Sequence, residues 1–466
     1  MRYVSTRGAA AALGFEDVVL AGLARDGGLY VPESWPAIAP DELRRWESLS
    51  YADVAVEVMR PFVDGISEDD FAAIVHETYA VPGVFHQAAV TPLRQLDAGE
   101  WLLELFHGPT LAFKDVALQL LGRLFEHILK KRGERITVVG ATSGDTGSAA
   151  IEACRDRENV TIFMLHPHGR VSEVQRRQMT SVPSANVYNI AVQGTFDDCQ
   201  ALVKAMFNDH AFRDRLNLAA VNSINWARVL AQVVYYFQAS LALGGHDGRR
   251  IDFSVPTGNF GDVFAGYVAS RMGAPVNKLI VATNVNDILS RALRSGDYSR
   301  GTVQPTISPS MDIQVSSNFE RLLFDLYGGD GARIAALMDD FAATGRLAIG
   351  NGQVTDASRL FAATRIDEDE TRATIAHVLR HNATLIDPHT AVGVAAGRKL
   401  RTGPEVPLVS LATAHPAKFP DAVQAASGIY PGLPPHLADL LTRPERYEIL
   451  PNDLKSVQDH IGALTQ

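Results

Sequence analysis

From about residue 135 the chain alternates two kinds of stretch: short runs of apolar, often β-branched residues, and longer stretches with apolar positions every three or four residues. The first kind, bounded by turn residues, predicts buried strands, and the second predicts amphipathic helices. Strands are expected at 135–139, 160–165, 187–192, 251–256, 278–283 and 406–412. Helices are expected at 148–155, 172–179, 196–208, 226–243, 263–272, 316–327, 390–396 and across much of 331–379, where Asn351-Gly352 reads as a break. Apolar strands with helices between them are the pattern of a parallel sheet covered on both faces. The segment 295–312, rich in Ser, Gly, Pro and Thr, reads as an irregular loop, and the tail from about 419 as Pro-rich and then helical.

The first 90 residues differ. They predict helices near 15–24, 51–61 and 68–79, with a turn at Asp26-Gly27-Gly28 and a short strand that Pro32 ends. A strand at 101–105 leads into His107-Gly108-Pro109-Thr110-Leu111-Ala112-Phe113-Lys114-Asp115. The expected division is an N-terminal unit, 1–90, a large domain from 91–132 and 222–466, and a small domain, 133–221.

After Lys114 the apolar residues Leu118, Leu121, Leu124, Phe125, Ile128 and Leu129 fall at helical spacing. Pro109 marks a turn or helix start, and Thr110 can cap the first turn. Lys114 then sits in that turn, where the helix dipole disfavours a cation by about 0.3–1 kcal/mol. Alone, it reads as a solvated lysine offset by Asp115. A lysine that works as a neutral amine gains from the same place.

Two glycine loops join strands to helices. Gly140-Ala141-Thr142-Ser143-Gly144-Asp145-Thr146-Gly147 offers backbone amides, a positive dipole end and three hydroxyls to an anion, though a tight turn would look similar. Pro256-Thr257-Gly258-Asn259-Phe260-Gly261-Asp262 has the same context. Asn222-Ser223-Ile224-Asn225-Trp226-Ala227-Arg228 opens the next long helix. Its Asn or Ser suits a cap, but an arginine in a first turn suits a bound oxyanion better than it suits the dipole. Leu411-Ala412-Thr413-Ala414-His415-Pro416-Ala417-Lys418-Phe419 follows the last apolar strand, at the end where ligands collect.

Composition narrows the function classes. Hydrophobic residues make up 46% and charged residues 21% of 466, with a formal net charge of −10. That excess argues against a nucleic-acid partner while allowing a local pocket for a small anion. Two cysteines, Cys154 and Cys199, without a CxxC pair, fit a reducing compartment. No signal-peptide core and no run of about 18 apolar residues occur, so a cytoplasmic chain without a membrane partner is expected. The histidines show no HExxH spacing and no GxSxG elbow is present, so neither a metal site nor a serine hydrolase is indicated.

Taken in order, these motifs resemble the threonine synthase family, in its longer bacterial and fungal branch. His107 to Asp115 looks like the family's cofactor-lysine motif. Ser143-Gly144-Asp145-Thr146-Gly147, Asn222 to Arg228, Pro256 to Gly261 and Ala412 to Phe419 follow in the family's order. Ser5-Thr6-Arg7-Gly8 and the turn and strand from Asp26 to Pro32 are similar to the longer branch, and the likeness spans nearly the whole chain. It implies an α/β, fold-type II pyridoxal 5′-phosphate enzyme of the tryptophan-synthase-β kind, with two doubly wound domains and an added N-terminal, mostly helical unit. By the same resemblance, Lys114 is the catalytic residue and forms the Schiff base. Gly258, Asn259, Phe260 and Gly261 cradle the cofactor phosphate, Thr413 faces the ring nitrogen, and Asp145 lies near the phenolic oxygen. Ser143 and Thr146 take the substrate carboxylate. Asn225 and Arg228, with Ser223 and Lys418, hold the substrate phosphate.

The implied reaction is γ-elimination from O-phospho-L-homoserine and β-addition of water, giving L-threonine and phosphate as the last step of threonine biosynthesis. A phospholyase on the same scaffold would give 2-oxobutyrate instead, and the motifs do not separate the two. Threonine or serine dehydration suits the chain less well, since those substrates bring no phosphate to Arg228. A non-catalytic binding relative would be expected to have lost Lys114. Monomer and homodimer both remain open.

Overall fold

A computed structural model describes residues 1–465. Its larger sheet has six strands in the order Phe361–Arg365, Val276–Thr283, Ile251–Pro256, Leu408–Ala412, Glu100–Glu104 and Leu93–Asp97. The first five are parallel and the last is an antiparallel edge. Every residue of Ile251–Pro256 and of Leu408–Ala412 is buried, as a sheet covered on both faces requires. The smaller sheet is parallel throughout, in the order Glu448–Pro451, Val187–Gln193, Val160–Pro167, Ile136–Ala141, Leu218–Ala219.

One helix joins these units. Lys114–Arg132 is 19 residues long and apolar around most of its circumference, so it is buried from Lys114 to Phe125. It packs against Asp145–Cys154 of the small unit, Trp226–Ala242 of the large one, and Phe15–Ala21 and Glu68–Thr78 of the N-terminal unit. At Gly122 the Asp145–Cys154 helix comes so close that a Cβ would strike the Ala153 carbonyl. The N-terminal unit pairs Tyr3–Ser5 with Tyr30–Pro32 and rests on the start of the Trp226 helix. Tyr3 and Phe62 pack against Trp226, their rings tilted to it, at centroid distances of 5.9 and 5.8 Å.

Several segments depart from the periodicity reading. Phe361–Arg365, inside the stretch read as helical, is an edge strand pairing with Leu279 to Thr283. Its two buried side chains, Phe361 and Ala363, are too few to stand out between flanking helices. Asn351 and Gly352 open a helix, Asn351–Ser358, rather than breaking one, and Arg346–Ala348 pairs with Asp297–Ser299 inside the supposed loop. The tail does not stay with the large domain. Glu448–Pro451 adds a mostly exposed edge to the small sheet, and Val457 and Ile461 of Leu454–Leu464 enter that unit's core. Backbone pairing of an exposed strand leaves little apolar pattern to read, which is why 222–466 looks continuous in sequence.

Candidate active site

Lys114 opens its helix, as its spacing predicts, but Thr110 does not cap it; Phe113 holds that position without a side-chain bond. The Thr110 amide and hydroxyl instead donate to the Asp115 carboxylate, at 2.8 and 2.7 Å. Asp115 therefore serves the loop rather than offsetting Lys114. Burial pushes its pKa up to about 6 against these two bonds. The other edge of the loop is stitched to the end of Leu408–Ala412. Ala112 bridges Ala414, the Phe113 amide donates to the Thr413 carbonyl at 2.9 Å, and the His415 amide to the Leu111 carbonyl at 3.0 Å. Lys114 and Thr413 are thus held side by side by main chain.

Lys114 is buried, with Nζ 3.4 Å from Asp145 Oδ2 and 4.7 Å above the Phe113 ring. Burial lowers its pKa below the ordinary lysine value; Asp145 opposes that shift, while Lys418 and Arg228 add to it. Burial alone would raise Asp145. Lys418, Lys114 and His389 outweigh it and hold the carboxyl well below the usual range, so Asp145 stays ionised. Lys418 is fully buried. Its Nζ donates to the Thr110 carbonyl at 2.7 Å and Gln178 Oε1 at 2.9 Å, and lies 3.2 Å from Asp145 Oδ1. In this arrangement all three protons of Lys418 have protein partners.

Both glycine loops present free amides. Thr142 Oγ1 accepts from the amides of Gly144 and Gly147, each at 2.9 Å. Among the described residues, the amides of Ser143, Asp145 and Thr146 meet no acceptor; the Ser143 side chain is exposed and that of Thr146 half-buried. In the second loop the carbonyls are pinned from behind. Ser316 Oγ donates to the Gly258 carbonyl at 2.8 Å, and Asn318 Nδ2 and its amide to the Asn259 carbonyl at 3.0 and 3.1 Å. The amides of Gly258, Asn259, Phe260 and Gly261 meet no acceptor among the described residues. Phe260 takes a left-handed φ of 61° to start Gly261–Met272. At Gly258 a Cβ would lie 2.7 Å from the Ser310 carbonyl.

Arg228 is buried, and its Nε and Nη1 have no hydrogen-bond partner among the described residues. Burial alone pushes its pKa down to about 10. A buried guanidinium left this way costs several kcal/mol, about what an anion beside it would restore. Asn225 does not join it: Oδ1 accepts from the Ala227 amide at 3.0 Å and Nδ2 donates to the Val19 carbonyl at 2.8 Å. Its side-chain amide serves the cap and the N-terminal unit. Ser223 is half-buried, and its carbonyl accepts from Asn318 Nδ2 at 3.0 Å.

Four contributors were absent from the sequence reading. Ser310 Oγ donates to Asp145 Oδ2 at 3.2 Å, and the Ser310 amide to His389 Nε2 at 3.2 Å. His389 Nδ1 lies 2.7 Å from Asp387 Oδ2, so this carboxylate orients the ring. Gln175 Nε2 donates to Asp145 Oδ1 at 2.8 Å. Ser310 lies in the aperiodic 295–312 stretch and Gln175 on an ordinary helix, so nothing local marks them. Asp387-Pro388-His389-Thr390 is a readable helix start, with Asp387 accepting from the Thr390 and His389 amides.

A buried lysine biased toward the neutral amine, an amide cradle closed by Gly258, and a buried threonine, Thr413, stitched by main chain to that lysine's loop are what an aldehyde-bearing phosphorylated pyridine requires. The side chains present fit pyridoxal phosphate.

Comparison with known proteins agrees. The family model described as pyridoxal-phosphate dependent enzyme matches residues 84–358, flanked by those for the threonine synthase N terminus, 2–79, and the threonine synthase C-terminal region, 390–461. Threonine synthase of Pseudomonas aeruginosa is 59% identical over 464 residues, 99% of this chain and 98% of that one. The crystal structure of pyridoxal-phosphate-bound threonine synthase from Brucella melitensis superposes with a TM-score of 0.97 at 54% identity, covering 100% of both chains. The yeast enzyme's structure gives 0.94 at 41%, covering 99% and 98%. Fold and site define a pyridoxal-phosphate-dependent enzyme of fold type II. Within that class, the chain belongs to the threonine synthase family.

Proposed function

We propose that this enzyme converts O-phospho-L-homoserine and water to L-threonine and inorganic phosphate, in the cytoplasm, with no macromolecular partner in the reaction. Family membership supports the reading, and the observation that carries it is Arg228. The phosphate cradle and the Ser143–Thr146 amides account for the cofactor's phosphate and a substrate carboxylate. An unpaired buried guanidinium then calls for one more anion. A hydroxyamino acid brings none; a phosphorylated one does.

The amides of Gly258 to Gly261 and the dipole of Gly261–Met272 would hold the cofactor phosphate, with the Thr413 hydroxyl at the ring nitrogen. The cofactor, when bound, supplies an electron sink for charge left on the substrate carbons. A hydroxyl rather than a carboxylate at that nitrogen supplies no charge to keep it protonated. Ser143 and Thr146 orient the substrate carboxylate. Lys114 Nζ, biased to the neutral amine by burial, takes the proton from Cα and, once that proton has been passed on, the proton from Cβ in a separate step. The Asp145 carboxylate 3.4 Å away stabilises the ammonium that results. Arg228 binds the substrate phosphate at Cγ and stabilises it as it leaves. Burial of Lys114, Asp145 and Arg228 keeps bulk water from these charges.

The test is phosphate release from O-phospho-L-homoserine by the wild type and by Lys114→Ala. The variant is expected to lose at least about 10³-fold in kcat and to keep no visible cofactor band after dialysis. A variant that keeps both the band and the activity contradicts the role given to Lys114.

A further inference from the structure

The SerSerAsnPheGluArg stretch, Ser316 to Arg321, takes no part in the chemistry above. Arg321 is nevertheless the second-largest fully buried side chain of the protein, and none of its hydrogen-bond acceptors is a carboxylate. Its Nε donates to the Tyr30 carbonyl at 3.0 Å, its Nη2 to the Ile224 carbonyl at 2.6 Å and its Nη1 to Asn318 Oδ1. Burial lowers its pKa to about 9. A leucine or methionine would fill the space without that cost. What a guanidinium adds is a rigid fork that fixes several oxygens at once.

We propose that Asn318 and Arg321 are positioning residues for the cofactor phosphate, tying the loop that binds it to the N-terminal unit; this rests on reading Gly258 to Gly261 as that loop. Arg321 holds Asn318 Oδ1, which settles the orientation of the amide and aims Nδ2 the other way. Nδ2 donates to the carbonyls of Asn259 and Ser223, each at 3.0 Å. The Asn259–Phe260 peptide is trans, so drawing its carbonyl toward Asn318 turns the Phe260 amide to the opposite side, into the cradle. Ser316 acts in the same way on the Gly258 carbonyl and hence on the Asn259 amide. Gly261 packs against Asn318, where a Cβ would lie 3.3 Å from Nδ2, and the Phe260 ring meets Phe319 edge-on at 5.2 Å. These contacts hold Phe260 in its left-handed conformation, which a bulky residue adopts only when its surroundings impose it. The clamp is anchored in turn. Glu320 accepts from Thr6 Oγ1 at 2.6 Å and from Arg7 Nε and Nη2 at 3.1 Å each, while Arg321 reaches Tyr30. Residues 1–79 thus brace the loop from behind.

The experiment uses the holoenzymes of wild type, Asn318→Ala, Arg321→Lys and Gly258→Ala. It reads the cofactor dissociation constant, the ³¹P chemical shift of the bound cofactor phosphate, and the melting temperature at saturating cofactor. Asn318→Ala is expected to weaken cofactor binding on the order of tenfold and to move the ³¹P signal. Arg321→Lys keeps the charge without the fork and is expected to do the same to a smaller degree; it carries the test if Asn318→Ala does not fold. Unchanged affinity and ³¹P shift in these two variants, with both altered in Gly258→Ala, overturn the clamp. If Gly258→Ala also changes neither, the phosphate-loop reading itself falls, and the clamp with it.

Discussion

Arg228 separates a ligand role from a structural one by the sign of its effect on stability. Two of its nitrogens are buried without partners. Arg228→Met is therefore expected to stabilise the cofactor-free enzyme, by about 1–3 kcal/mol. The same change should raise KM for the phosphorylated substrate by about 10²-fold or more. Thermal melts and steady-state kinetics check the two halves. Asp262, next to Gly261, is a second buried charge with a predictable sign. Tyr235 and Tyr236 donate to its Oδ1 at 2.5 and 2.9 Å, its Oδ2 has no partner, and burial pushes its pKa up to about 6 from 3.8. The folded chain holds this proton more tightly than the unfolded one. Stability from this group is thus fully present below about 3.8 and lost as pH rises through about 6. Asp262→Asn should stabilise the cofactor-free enzyme by about 1–3 kcal/mol at pH 8, with the difference gone by pH 4; denaturant unfolding at the two pH values checks it. At this scale the sequence marks residues whose type clashes with their place, such as Lys114 and Arg228 in first helical turns. It cannot show partners. The protein partners of Lys418 and Asn225, for example, come from distant segments and leave no mark on the local pattern.

The element that carries most of the architecture is Lys114–Arg132, since all three units pack on it. Its close crossing with Asp145–Cys154 depends on Gly122. Gly122→Ala is expected to destabilise the protein by about 2–4 kcal/mol despite the better helix propensity of alanine, because the Cβ meets backbone rather than a movable side chain. It should also weaken cofactor binding by displacing Asp145. A melting temperature at or above wild type would contradict the crossing. Helices and central strands were legible because their apolar periods are long or their burial complete, as in Ile251–Pro256 and Trp226–Ala242. Phe361–Arg365 and Glu448–Pro451 were not, because edge strands are short and fixed mainly by backbone pairing. Ser310, Asn318 and His389 escaped for a related reason: bonds to residues far along the chain create their roles, and no local pattern encodes those bonds.

Across the molecule, the N-terminal unit bonds to Arg321 behind the Gly258–Gly261 loop and to the Arg228 helix start, and the C-terminal segment returns to the small sheet carrying the Ser143–Thr146 loop. Both ends of the chain thereby support the surroundings of Lys114, where we propose places for a cofactor phosphate, a substrate carboxylate and a second phosphate. The central claim is that this arrangement ends in replacement by water rather than in elimination alone. It is tested most directly by NMR analysis of the products formed from O-phospho-L-homoserine. Threonine and inorganic phosphate in equal amounts are predicted. Inorganic phosphate accompanied by 2-oxobutyrate and ammonia, with no threonine, would contradict it.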